Sequence, residues 1–246
     1  MKNSIKYVLQ KSLGFERYLY LFSHFKIKTL KKDKNERDFF HFLNLIKEGK
    51  GDVIDIGANI GIMTYFLASK FNTCTVHSIE PVPVNFAVLG RIVKKFNLSN
   101  VQLYPVALGQ VQGTLKMIMP YNGKTKMQGL SHVKHESISE WNEGEEFDVP
   151  VKTLDELFAG QTIQAIKIDI ENFEYFAFLG GRQLLEQNKP IIYAELWDND
   201  NRKNSFELLK SLGYDVFVVE NEKLVLFDGK KHITQNFIFK TNEPVR

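Results

Sequence analysis

Apolar and polar positions along this chain switch between a strand-like and a helix-like period, and the switches outline its elements. Val53, Ile54 and Ile56 form a short apolar run, the pattern of a strand buried on both faces. Met63, Tyr65, Phe66, Leu67 and Ala68 then continue without a breaker and predict a helix from about Ile62. Further strands are expected over 75–79, 101–104, 165–169 and 190–196, with a helix over 85–96 between the second and third. Phe173, Phe176, Ala177, Leu184 and Leu185 give the next helical stripe; Phe206, Leu208, Leu209 and Leu212 give another, stopped by Gly213. Residues 214–219 and 236–239 read as closing strands, with polar turns between them. Strands alternating with helices specify an α/β chain with a mostly parallel sheet and helices on both faces.

Two stretches depart from that rhythm. Residues 1–50 read as a helical N-terminal extension, with one helix around 5–21 and another around 36–47. The second carries the stripe Phe39, Phe40, Leu43 and Ile46 and ends near Gly49. Residues 113–151, within an expected domain of 51–246, hold a strand over 114–119 and then polar, glycine-containing sequence. So long an irregular insert is usually functional or disordered, and it reads as a substrate-side flap built on a β-hairpin. Thr153 is the expected N-cap of a short helix after it.

The order strand, glycine turn, helix opens a nucleotide-binding unit. Here the turn is Asp55-x-Gly57-x-Asn59-x-Gly61, lacking the middle glycine of a dinucleotide fingerprint, and no P-loop lysine follows. Asp55 would repel a pyrophosphate and suits a cationic ligand. S-adenosylmethionine, with its sulfonium and ammonium and no phosphate, fits better than a nicotinamide dinucleotide. Glu80 ends the second strand about 20 positions past the turn, where a carboxylate accepts from two ribose hydroxyls.

Ligands of open α/β sheets bind at the carboxyl ends of the strands, which gathers Asp55, Gly57, Glu80, Asp169 and Glu195 along one edge. Asp169 is adjacent to the glycine-turn strand and is the first candidate for a general base, with Glu171, His132 and His135 as alternatives. Glu195 orients the acceptor. Glu174 is expected to complement a helix dipole, and both histidines are explained more simply as loop residues. Carboxylates also suit a divalent cation, so Asp169 and Glu171 as metal ligands are the runner-up; a metal is not expected.

Composition narrows the partners. A net charge of +3 does not argue for nucleic acid. The cluster Lys26, Lys28, Lys31, Lys32, Lys34 and Arg37 reads as a solvated face, with contact with an anionic surface or acceptor as the alternative. The aromatic stretch 15–25 reads as a helix packed on the domain, with weak membrane-surface contact as the alternative. No apolar run approaches the roughly 18–20 residues that span a bilayer, and a cytoplasmic location is expected. Cys74 is the only cysteine and reads as a buried thiol.

Taken in order, five motifs resemble the FkbM-like S-adenosylmethionine-dependent methyltransferases: Val53 to Gly61; Ile79-Glu80-Pro81 with Asn85 and Leu89; Val106-Ala107-Leu108-Gly109; Ile166 to Glu171 with Glu174 and Leu179-Gly180-Gly181; and Pro190-Ile191-Ile192 leading to Glu195. The resemblance implies a Rossmann-like class I methyltransferase sheet, mostly parallel with an antiparallel last strand. It implies O-methylation of a hydroxyl on a sugar, glycan or other natural product. The cofactor residues it suggests are Asp55, Gly57, Ala58, Asn59, Gly61, Glu80, Pro81, Ala107 and Asp169; Ser131 lies in a Gly/Ser element shared with the family, and His132 and Asn172 join it as substrate candidates. Asn172 stands where the family usually has Gly. A nicotinamide-dependent oxidoreductase and a catalytically inactive cofactor-binding module are the competing readings.

Overall fold

The computed structural model describes residues 2–136, 138, 141 and 143–241. Met1 of the expected extension, residues 137, 139, 140 and 142 of the expected insert and the domain's last residues, 242–246, lie outside the described residues. The chain opens with α1 (Lys2–Leu13) and α2 (Phe15–Thr29), not one helix. Gly14 separates them at φ 77°, a left-handed backbone that no helix interior adopts. Helix α3 (Arg37–Leu45) follows, its Phe39, Phe42 and Leu43 buried.

The α/β alternation then runs as the apolar pattern requires: β1 (Asp52–Ile56), α4 (Ile62–Lys70), β2 (Val76–Ile79), α5 (Pro83–Lys95), β3 (Val101–Tyr104) and β4 (Ala107–Leu108). The insert contributes β5 (Gly113–Asn122), β6 (Thr125–Lys126), β7 (His132–Val133) and β8 (Gly144–Lys152). After it come α6 (Leu154–Leu157), β9 (Ile163–Ile168), α7 (Glu174–Leu179), α8 (Arg182–Asn188), β10 (Ile191–Glu195), α9 (Asp200–Ser211), β11 (Tyr214–Glu220), β12 (Lys223–Leu226) and β13 (Asn236–Thr241). Thr153 caps α6 as expected, its Oγ1 accepting from Glu156 N at 3.1 Å.

Eight strands form one sheet in the order β12-β11-β13-β10-β9-β1-β2-β3. The run from β10 to β3 is parallel. The last strand, β13, inserts antiparallel between β10 and β11, the Rossmann-like pattern with its reversed last strand. Strand β12, which lies between two polar turns and is not predicted by the pattern, pairs antiparallel with β11 at the edge. Successive strand residues face opposite sides. Ile54, Ile56, Ile166 and Ile168 therefore join α6 to α9 in one core, while Val53, Ala165 and Tyr193 join α3 and α4 in the other.

The insert is more ordered than its polar sequence suggests. Strands β5 and β8 pair antiparallel from Gly113↔Val151 to Pro120↔Gly144, and β4 pairs with β8 at Ala107↔Val151. His132 is buried in β7, with Nδ1 2.9 Å from Leu130 O. His135 rests over Phe173 and Phe176. Neither is a plain solvated-loop residue.

Candidate active site

The glycine turn leaves β1 and crosses the end of β2, where Gly57 N and Ala58 N both donate to Ile79 O at 3.0 Å. Gly57 has φ 73°, and a Cβ there would collide with the Asp169 carbonyl oxygen. The first demand on this glycine is therefore the close crossing of its own chain with the β9 terminus. Gly61 caps α4 in left-handed conformation and faces Leu89 and Ile92. Ser23 on α2 donates to Ile60 O at 2.8 Å, tying the N-terminal helices to the same turn.

Around this crossing lies an open cavity of about 590 Å³ at the carboxyl ends of β1, β2 and β9. Of the expected residues, Gly57, Asn59, Glu80, Pro81, Ala107, Ser131, Asp169 and Glu171 line it. Ala58, Gly61, His132, Asn172 and Glu195 are not in its wall, and neither is Asp55. Strand parity explains Asp55. It points with Val53 away from Ile54 and Ile56, and it is fully buried. Its Oδ2 accepts from the Thr64 hydroxyl at 2.6 Å, and Lys167, its in-register neighbour on β9, places Nζ 3.3 Å from Oδ1. Lys167 Nζ also donates to Gly57 O at 2.9 Å. The buried pair thus fixes the turn from beneath.

Asn172 is engaged elsewhere as well. At φ 76° it adopts the backbone the family's glycine would supply. Its Oδ1 accepts from Asn199 Nδ2 at 2.8 Å, and its carbonyl from Asn201 Nδ2 at 2.9 Å. It pins the loop after β9 to the start of α9. Glu171, also left-handed at φ 55°, is held in a sparsely populated conformation of the kind concentrated at functional sites.

Acidity dominates the electrostatics. Glu80 is 4% exposed; its oxygens accept from Asn59 N and Val82 N at 2.8 Å and from Asn85 Nδ2 at 3.4 Å. Burial nevertheless pushes its carboxyl up to about 7. Burial and the neighbouring carboxylates Asp169, Glu195 and Glu174 push Glu171 up to about 10. Asp169 raises Glu195 to about 7, with burial second. Asp169 itself is raised by burial, against the pull of Lys167. Glu174 is no surface dipole charge: it is buried, accepts from Ile170 N at 2.8 Å and is pushed by burial to about 8. Among the described residues no three His, Cys, Asp or Glu side chains are grouped as a metal site.

Three buried polar atoms facing the cavity have no protein partner: Asn59 Oδ1, Asn85 Oδ1 and Ser131 Oγ. Such atoms cost about 1–3 kcal/mol each unless something satisfies them. Two are pure acceptors, so the complementary ligand presents N–H or O–H donors. Asn85 was legible only as part of a motif, and Gln128, also in the wall, had no local signal.

The sequence profile described as the methyltransferase FkbM domain matches residues 55–216. "Methyltransferase 1" of Beauveria bassiana (strain ARSEF 2860) is 28% identical over 185 residues, 68% of this chain and 73% of its own. "Methyltransferase sdnD" of Sordaria araneosa is 28% identical over 198 residues, 78% of this chain and 66% of its own. The crystal structure of methyltransferase FkbM from Methylobacillus flagellatus KT superposes with a TM-score of 0.56 at 15% identity. It covers 97% of this chain, which spans 59% of that protein's length. At that identity the likeness is one of fold.

Proposed function

This chain belongs to the FkbM methyltransferase family, and on that premise we propose that it transfers the methyl group of S-adenosylmethionine to a hydroxyl of a sugar or similar hydroxylated small molecule. The observation that carries the reading is the chemistry of the cavity wall. It presents Glu80 and Asp169, a Glu171 that keeps its proton, no lysine or arginine among the described residues, and unpartnered acceptor atoms. That set of acceptors fits a cationic, donor-rich cofactor and opposes a pyrophosphate.

Glu80 would take the ribose hydroxyls. Asn59, with the backbone of Gly57 and Pro81, would hold the turn side, and Ala107 the far side. Bound there, the cofactor supplies an electrophilic methyl on a sulfonium. The protein's own work is to align the acceptor hydroxyl and remove its proton. Orientation is worth up to roughly 7–11 kcal/mol in well-aligned cases, and a positioned base about 10²–10⁴-fold.

Asp169 is the base in this reading. Glu171, raised to about 10, holds its proton near neutral pH and so acts as a donor to the acceptor. Asp169 keeps Lys167 beside it, which favours its ionised form. Glu195, expected to orient the acceptor, lies outside the cavity wall, and its charge instead helps keep the proton on Glu171.

Calorimetry tests the cofactor. S-adenosylmethionine should bind and a nicotinamide dinucleotide should not; the reverse result sinks the proposal. Methylated product from a panel of hydroxylated acceptors separates an enzyme from a cofactor-binding module that has lost activity.

A further inference from the structure

The three-residue turn Gln128–Leu130 has a second cavity on its other side. About 580 Å³ of open space lies between α1, α2 and the insert, lined by Lys6, Tyr18 and Phe22 from the helices and by Lys126, Gln128 and Gly129 from the insert. Gln128 and Gly129 line both cavities, so this one turn is the partition between them.

The two cavities carry opposite charge. The first contains carboxylates and no cation; the second contains Lys6 and Lys126 and no carboxylate. Lys126 is committed, with Glu145 at 2.5 Å and the Phe15 ring at 5.3 Å. Lys6 makes no ion pair among the described residues. Helix α1, which bears Lys6, carries Lys2 and Lys11 as well and no Asp or Glu.

Two other polar groups in this wall reach solvent and make no hydrogen bond among the described residues. Tyr18 is 8% exposed, and its hydroxyl makes no hydrogen bond among the described residues. The same holds for the side-chain amide of Gln128. The Tyr18 and Phe22 rings stack on each other, 14° from parallel with centroids 6.1 Å apart, and both contribute to the cavity wall. A sulfonium cofactor is repelled by lysines and drawn to the acidic side. The basic side is left for another ligand.

We propose that the second cavity binds the acceptor through an anionic group. The ligand class is a sugar or comparable polyol bearing a phosphate or a carboxylate. Its anion meets Lys6, its apolar carbons meet the half-buried Phe22, one hydroxyl reaches the Gln128 amide in the partition, and the hydroxyl to be methylated extends past that turn to Asp169. This rests on the methyltransferase reading, and Lys6, Tyr18 and Phe22 all precede the residues that match the family profile.

The test is titration of the full chain with glucose 6-phosphate, glucuronate and glucose, followed by ligand-observed NMR. At least one anionic sugar should bind about two- to fivefold more tightly than glucose, the scale of one partly exposed ion pair. Binding of glucose 6-phosphate alone assigns a phosphate; binding of both anions assigns charge in general. Lys6→Gln should abolish the preference, whereas Lys94→Gln, on an exposed position of α5, should retain it. Neither should change the affinity for S-adenosylmethionine. Equal binding of all three sugars, binding of none, or a preference that survives Lys6→Gln overturns the proposal. If the wild-type chain fails to bind S-adenosylmethionine, the cofactor reading falls, and the anion preference is still scored on its own.

Discussion

The acidic and the basic cavity share a wall and are built on different principles. The acidic one is made of strand ends. Its groups are fixed by backbone: Glu80 by two main-chain amides, Asp169 by its N–H to Ile56 O at 3.2 Å and by the crossing at Gly57. The basic one is made of helix faces and a hairpin turn, and its cation stands on a long flexible side chain. Such a contrast suits a division of labour. Methyl transfer needs atoms fixed within a fraction of an ångström, whereas recognition of an acceptor's periphery tolerates looser groups.

Four perturbations break or sharpen that contrast, in order of expected size. Asp169→Asn keeps shape and hydrogen bonding but loses proton-accepting capacity. Turnover should fall about 10²–10⁴-fold with cofactor affinity within a few-fold of wild type, read by single-turnover kinetics and calorimetry. Wild-type turnover in this variant would remove Asp169 as base, and loss of rate on chelation with recovery in Mg²⁺ would make the carboxylates metal ligands instead.

Lys167→Met leaves Asp55 buried beside Asp169 with no cation between them. Breaking a buried pair in this way costs about 3–5 kcal/mol, measurable as a lower urea midpoint. An unchanged midpoint would mean that the turn does not depend on the pair.

Glu80→Ala removes an acceptor of charge-assisted hydrogen bonds worth about 1.5–3 kcal/mol each. The dissociation constant for S-adenosylmethionine should rise about tenfold or more; an unchanged constant would place the ribose elsewhere.

The smallest effect is a pH trend. Folding raises Glu80 and Glu195 to about 7, Glu174 to about 8 and Glu171 to about 10 from the usual 4.5. Between those values the folded chain holds more protons than the unfolded one, so stability falls as pH rises through the window. Thermal midpoints of the ligand-free protein should be higher at pH 6 than at pH 8. Glu174→Gln should flatten the trend, and a trend unchanged in this variant would assign it to other groups.

The layout of the sheet was legible because each core strand is a short apolar run bounded by a turn. Strand β12 escaped because Lys223–Leu226 is a four-residue edge strand in which only Leu224 and Val225 are half-buried, too short to show an alternation. The long N-terminal helix was misread because Gly14 is tolerated in a helical pattern, and only its φ reveals the break. In the site, Gly57, Glu80, Asp169 and Glu171 were readable from their places at strand ends. The true environment of Asp55 needed parity: Val53 and Asp55 share one face and Ile54 and Ile56 the other. The partner Lys167 became visible only once β1 and β9 were in register. Lys6 and Tyr18 lay beyond sequence reasoning, because nothing local says that residue 6 will face residue 128.

Gln10 and Lys126 exchange two hydrogen bonds, Nε2 to O at 3.1 Å and N to Oε1 at 3.2 Å, across 116 positions of chain. That reciprocal amide clasp resembles one rung of a sheet, formed by a side chain. It also sets an order of assembly. Closing a loop of that length costs entropy that neighbouring contacts do not, so local pieces form first. A ribosome releasing this chain must deliver Lys126 before α1 has its place, and until then the first helix waits with its amide unanswered.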